Sequence, residues 1–185
     1  MQVRTGTDAD AAAAAQVVRR VLHEHGLPFE PRSLDADILQ PDAHYRAGGG
    51  AFFVATDTSG RLVGTAALAR TGHASGEVRK MFLLPEARGH GTGQALLDAV
   101  LDAARARGLE QLTLTTRRRY DRAIRLYERA GFRPAGTAAR ARGGDPGLTY
   151  ALDLTATEAV AERVPGRPAG RRRYLQPAPT PSLAA

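Results

Sequence analysis

The period of hydrophobic and polar positions changes several times along the chain, and each change marks an element. Val17, Val18, Val21 and Leu22 lie on one helical face between a capping pair, Thr7 and Asp10, and a stop at Gly26. That pattern predicts a helix over roughly 8–25, preceded by a short edge strand at 2–4. A proline-punctuated connection at 27–31 leads to a short helix at 33–39, which carries Asp35 and Asp37, and to a further turn at 42–46 broken by Gly48, Gly49 and Gly50. AFFVAT at 51–56 and LVGTAALA at 62–69 read as strands joined through Ser59-Gly60 turn chemistry. Val78, Met81, Phe82, Leu83 and Leu84 then form a short apolar run closed by Pro85, the pattern of a strand buried on both faces.

Beyond Gly91 the period lengthens. Leu96, Leu97, Val100, Leu101 and Ala104 make a helical stripe over 92–107, LEQLTLTT at 109–116 alternates like a strand, and Ala123, Ile124, Tyr127 and Ala130 repeat the helical period over 120–130. Closing strands are predicted at 135–140 and 148–153. The three strands before Pro85 form an antiparallel meander, and strand, helix, strand after it implies a parallel, right-handed crossover. The expected fold is α/β (α+β), with a mixed sheet of about six or seven strands and about four helices. It occupies residues 1–154; from 155 to 185 the composition shifts to Arg, Pro, Gly and Ala, and that tail is expected to be mostly disordered.

Composition narrows the chemistry. With 185 residues, 43% of them hydrophobic, the chain is long enough to bury one proper core. The absence of cysteine excludes disulfides, thiolate metal sites and a cysteine nucleophile. His23, His25 and His44 show no ligand spacing, so no metal is expected. The start, MQVRTGTDAD, carries no apolar signal core, and no run reaches the ~20 apolar residues of a membrane span. The expectation is a cytoplasmic protein without a membrane partner. A net charge of +7 invites a nucleic-acid reading, but nearly half the excess sits after residue 155, where five arginines face two glutamates. Lys80 is the single lysine among twenty-six basic residues, which fits the codon bias of a GC-rich genome better than selected phosphate recognition. Nucleic acid is therefore not the expected partner.

The stretch from Glu77 to Gly93, EVRKMFLLPEARGHGTG, carries the chemistry. Arg88–Gly93 is a strand-to-helix turn whose backbone N–H groups lack intrahelical partners and face the positive end of the helix dipole, while Gly89, Gly91 and Gly93 allow close approach: an anion cradle. A dinucleotide fingerprint would need glycine where Gln94 stands, and a P-loop would need a lysine after Lys80. What is present is Arg/Gln-x-x-Gly-x-Gly, as Arg88-Gly89-His90-Gly91-Thr92-Gly93.

With VRKMFLLPEARG before it, QALLDAVLDAARARG after it and AIRLYERAGFRP at 123–134, the chain resembles the GNAT superfamily of N-acetyltransferases. The resemblance implies acetyl-CoA as co-substrate, its pantetheine arm beside the backbone of Met81, Phe82, Leu83 and Leu84, and its diphosphate held by Arg88, Gly89, His90, Gly91, Thr92 and Gly93. It implies Tyr127 as the acid that protonates the departing thiolate, with a core tyrosine as the alternative. Glu77 is the candidate base, against a plain ion pair with a nearby arginine. Asp35, Asp37 and Tyr45 fall in the region that usually walls the acceptor, where the competing reading is solvated helix-end acids. Tyr120 departs from the asparagine often found there. The implied reaction moves acetyl to a primary amine of a small molecule; the alternatives are an acyl-CoA-binding sensor or scaffold, and a protein N-terminal or lysine acetyltransferase. A second copy of the chain, as a homodimer, is kept as a further partner.

Overall fold

A computed structural model describes residues 1–138 and 147–155. Seven strands form one sheet in the order β1-β2-β3-β4-β5-β7-β6: β1 (Gln2–Thr5), β2 (Ala51–Thr56), β3 (Leu62–Arg70), β4 (Ser75–Leu83), β5 (Gln111–Thr116), β6 (Arg133–Ala138) and β7 (Gly147–Asp153). Every neighbouring pair is antiparallel except β4 and β5, which are parallel and joined through a helix. The meander and the crossover therefore stand where the periodicity puts them. The predicted tail beyond Thr155 lies outside the described residues, as do 139–146, which hold the end of the strand predicted at 135–140.

Three α-helices accompany the sheet among the described residues: α1 (Ala11–Glu24), α2 (Thr92–Ala106) and α3 (Asp121–Arg129). The predicted first helix divides into a 3-10 turn at Asp8–Asp10 and α1, and the Thr7–Asp10 pair works as a cap, with Thr7 N–H donating to the Asp10 carboxylate at 3.0 Å. The helix predicted at 33–39 shrinks to a 3-10 turn at Ala36–Ile38, and 42–46 forms a π turn. In α2 the whole predicted stripe, Leu96, Leu97, Val100, Leu101 and Ala104, is buried.

The helices α1 and α2 both pack on β3, which is buried at every position from Leu62 to Ala69, as a strand covered on both faces must be. β4 does not match it, against the expectation from its apolar run. Met81, Phe82 and Leu83 are only half-buried, because past Glu77 the strand has a neighbour on one side alone. Apolar side chains here line an opening as well as a core.

Gly50 marks the tightest backbone approach in the meander: a Cβ there would meet the Leu68 carbonyl oxygen at 2.1 Å. Because backbone cannot swing aside as a side chain tip does, Gly50→Ala is expected to lower stability by roughly 2 kcal/mol or more, read as the midpoint of urea unfolding. A midpoint within error of wild type would refute the close approach.

Candidate functional site

β4 and β5 pair only over Ser75–Glu77 and Gln111–Thr113. Past Glu77 the strands diverge: β4 stays paired to β3 as far as Leu83, and β5 stays paired to β7 as far as Thr116. The sheet is forked, and Glu77 sits at the apex. One strand edge of β4, from Val78 onward, therefore has no strand beside it.

The hydrogen bonding of β4 fixes which groups face the fork. Leu84 N–H donates to the Val63 carbonyl at 2.9 Å, so Leu83 and Gly64 form a non-hydrogen-bonded pair and the N–H and C=O of Leu83 turn away from β3. Arg88 Nε takes that carbonyl at 2.9 Å, which leaves the Leu83 N–H directed into the fork. Leu84, in the predicted pantetheine set, has its N–H on Val63, and its carbonyl accepts from Ala87 N–H at 3.0 Å.

After β4, a 3-10 turn at Pro85–Ala87 leads to the glycine-rich loop. Gly89 and Gly91 have φ of 81° and 79°, a left-handed geometry that a side chain would strain, and Gly91 caps α2. The N–H groups from Gly89 to Gln94 donate to no protein acceptor among the described residues; the first bond of α2 runs from Ala95 N–H to the Gly91 carbonyl at 3.0 Å. Thr92 Oγ1 is sealed from solvent and makes no hydrogen bond. This set of donors, at the positive end of a fifteen-residue helix, suits a diphosphate. Gly93 lies between the two arms: a Cβ at that position would be 3.5 Å from Leu126 of α3 and 3.9 Å from Leu83 of β4. His90 is exposed.

Arg88 is an organiser. Besides the Leu83 carbonyl it makes a two-pronged bond, 2.7 Å on each side, to Glu24 at the end of α1. The next residue, His25, stacks at a tilt on Tyr120 at 4.7 Å, and its carbonyl accepts from Arg119 at 3.2 Å. The end of α1 thus holds both arms of the fork, one through Arg88 and one through the turn after β5. Sequence reasoning misses Glu24, since nothing in an exposed helical glutamate flags it.

Tyr127 sits on α3, buried, edge-on to Phe132 at 6.0 Å. Its hydroxyl has no hydrogen-bond partner among the described residues, and burial pushes its pKa up, so the phenol stays protonated. Glu77 is paired with Arg79, whose Nε donates to it at 2.6 Å. Asp35 is not a solvated acid: it is fully buried and lies 2.8 Å from Lys80 Nζ. Asp37 lies 3.1 Å from the same ammonium and accepts a short hydrogen bond from Tyr45. Asp35, Asp37 and Tyr45 do come together, but around a lysine of β4. Its signal in the sequence is its rarity in an arginine-rich chain. An open groove of about 1370 Å³ along β1, β2 and α2 touches the loop at His90–Thr92 and includes neither Leu83 nor Tyr127. Among the described residues no cluster of His, Cys, Asp or Glu could hold a metal, and no helix is long and apolar enough to cross a membrane.

A mixed sheet forked beside a glycine-rich helix start defines an acyltransferase-type architecture. Residues 17–132 match the Acetyltransferase (GNAT) family. The chain belongs to that family. It is 41% identical over 85 residues to an IAA acetyltransferase of Azospirillum brasilense and 36% identical over 89 to a mycothiol acetyltransferase of Beutenbergia cavernae; the matches cover 45% and 48% of this chain, but only 56% and 30% of those relatives. An uncharacterized N-acetyltransferase of Escherichia coli is 34% identical over 128 residues, 66% of this chain and 76% of that one. Among solved structures, a GNAT-family acetyltransferase of Staphylococcus aureus superposes with a TM-score of 0.73 at 20% identity, covering 83% of this chain and 98% of the other. A phosphinothricin acetyltransferase of Sinorhizobium meliloti, in complex with AcCoA, gives 0.70 at 23%, covering 83% and 88%.

The Arg88 guanidinium holds the Glu24 carboxyl below its ordinary value. A carboxyl depressed in the folded state stabilises above the ordinary range and stops doing so as pH falls through its lowered value. The stability gap between wild type and Glu24→Gln is therefore expected to be widest near neutral pH and to close as pH drops below ~4. Urea midpoints between pH 7 and pH 3 read it; a gap that widens in acid would reverse the assignment.

Proposed function

We propose that the protein transfers an acetyl group from acetyl-CoA to a primary amine of a small molecule, by direct attack of the amine. The observation that carries the reading is the fork, with one N–H of β4 directed into it and a row of unspent N–H groups at the start of α2. Bound acetyl-CoA would supply an activated thioester carbonyl and a thiolate leaving group.

The residues divide the work. The N–H groups of Gly89–Gln94, that of Thr92 among them, bind the diphosphate, and Met81–Leu83 offer a strand edge to the pantetheine arm. Leu83 N–H donates to the carbonyl oxygen, where negative charge grows during attack. Tyr127 holds the proton that the thiolate needs, and burial keeps that proton in place at neutral pH. Glu77 at the apex takes a proton from the substrate ammonium, directly or through water, and so frees the neutral amine that attacks the thioester carbonyl. Its carboxylate accepts from Arg79 Nε at 2.6 Å, which fixes its position at the apex. The names of the relatives in Azospirillum and Beutenbergia, IAA and mycothiol acetyltransferase, favour a small acceptor over a protein.

A panel of amines, with release of free thiol from acetyl-CoA as readout, tests the reading. Turnover of at least one small amine is expected; acetyl-CoA binding with no turnover on any amine would favour a sensor. Tyr127→Phe removes only the hydroxyl. It is expected to lower kcat about a hundredfold, in keeping with loss of a general acid, while the Kd for CoA stays within about twofold. Unchanged turnover would return Tyr127 to the core. In the same assay Glu77→Gln is expected to remove the acidic limb of the pH–rate profile, and an unaltered profile would exclude Glu77 as base.

A further inference from the structure

Lys80 has φ of 49°, the left-handed region, and among the described residues it is the only non-glycine residue there. A long side chain in that conformation strains the backbone unless the surroundings hold it. The strain coincides with an irregularity in pairing. Thr65 faces Phe82 and Ala67 faces Arg79, so β4 spends three steps where β3 spends two, and one extra residue is accommodated at Lys80–Met81.

That extra residue decides what the fork receives. With regular pairing continued from Ala67 and Arg79, Phe82 would stand opposite Gly64, and it would be Phe82 N–H that turned away from β3. The bulge moves the register by one residue, and Leu83 takes that place. The direction of the donor in the fork therefore rests on the backbone of residue 80.

Two contacts hold that backbone. The buried Thr65 hydroxyl donates to the Lys80 carbonyl at 2.7 Å. The Lys80 side chain, 9% exposed, reaches the connection between α1 and β2, where Nζ donates to Asp35 Oδ1 at 2.8 Å and to the Leu34 carbonyl, with Asp37 Oδ1 at 3.1 Å. Asp35 is itself fixed, fully buried, its other oxygen accepting from Glu30 N–H at 2.8 Å. An ammonium anchored at this depth keeps its main chain from relaxing into a regular strand.

We infer that the Lys80–Asp35 ion pair is a latch that holds the β4 bulge, making both of them positioning residues that aim Leu83 N–H into the fork. The role of that N–H rests on the acetyl-CoA reading; the latch itself does not. Two double variants separate the latch from the mere loss of a buried charge pair. Asp35→Asn with Lys80→Met, and Asp35→Asn with Lys80→Gly, both lack the ion pair and differ only in whether residue 80 accepts a left-handed backbone.

The Met double is expected to lose the left-handed signature in the backbone chemical shifts of residue 80 and to bind acetyl-CoA, which carries the carbonyl that Leu83 N–H would meet, about tenfold more weakly by calorimetry. The Gly double is expected to keep left-handed shifts and to bind acetyl-CoA within about twofold of wild type. Left-handed shifts retained in the Met double, or acetyl-CoA affinity lost equally in both, overturns the latch. Should the Met double not fold, the single Asp35→Asn variant is read the same way: displaced shifts at residue 80 support the latch and wild-type shifts overturn it. A wild-type protein that fails to bind acetyl-CoA would instead overturn the proposed function, while the shifts of residue 80 still decide the latch.

Discussion

The divergence of β4 from β5 past Glu77 and Thr113 is the constraint on which the rest of the structure depends. A sheet gains from pairing every strand edge, so an interior edge left open has to be maintained against closure. The chain maintains it from the periphery. Arg88 occupies the one carbonyl that Leu83 turns to the fork and clamps Glu24, and Arg119 and Tyr120 hold the neighbouring His25 from the other arm. The last turn of α1 ties the segment after β4 to the turn after β5 and so fixes the two arms relative to one another. Its grip is mostly polar and partly exposed, so it contributes placement more than stability.

The same geometry explains the asymmetry between β3 and β4. β3 is covered on both faces and reads as continuous apolar sequence, whereas β4 combines an apolar run with Glu77, Arg79 and Lys80 because it has to end a core, line an opening and reach across to Asp35 within nine residues. Periodicity alone treats the two strands alike. That is why the expectation of a strand buried on both faces, drawn from the run at 78–84, is met at Val78 and missed at Phe82.

Much of the fold is legible in the sequence for physical reasons that are local. The stripe Leu96–Ala104, the Thr7–Asp10 cap and the turn at Ser59-Gly60 need only neighbours in sequence to act, and each stands where the pattern places it. The glycine loop is legible because Gly89 and Gly91 are demanded by backbone conformation rather than by packing. What stays hidden depends on residues far apart: Arg88 with Glu24 spans 64 positions and Lys80 with Asp35 spans 45. Asp35 illustrates the failure well, since an acid beside a helix start is usually solvated, and only a distant lysine reverses that.

Lys80 also changes what the acidic residues expected to wall the acceptor can do. Removing one partner of a buried, hydrogen-bonded ion pair typically costs about 3–5 kcal/mol, so Asp35 is not available to exchange its own ammonium for that of a substrate. Asp37 shares that ammonium and takes the Tyr45 hydroxyl as well. The pair expected to attract an amine is already neutralised in part from within. On the proposed reading, Asp35, Asp37 and Tyr45 bear on the reaction through the strand that Lys80 belongs to, and not by holding the acceptor themselves. The ion pairs tie the 35–37 turn to β4, so under the latch inferred above a change at Asp35 or Asp37 would reach the open edge of β4 through the backbone of Lys80.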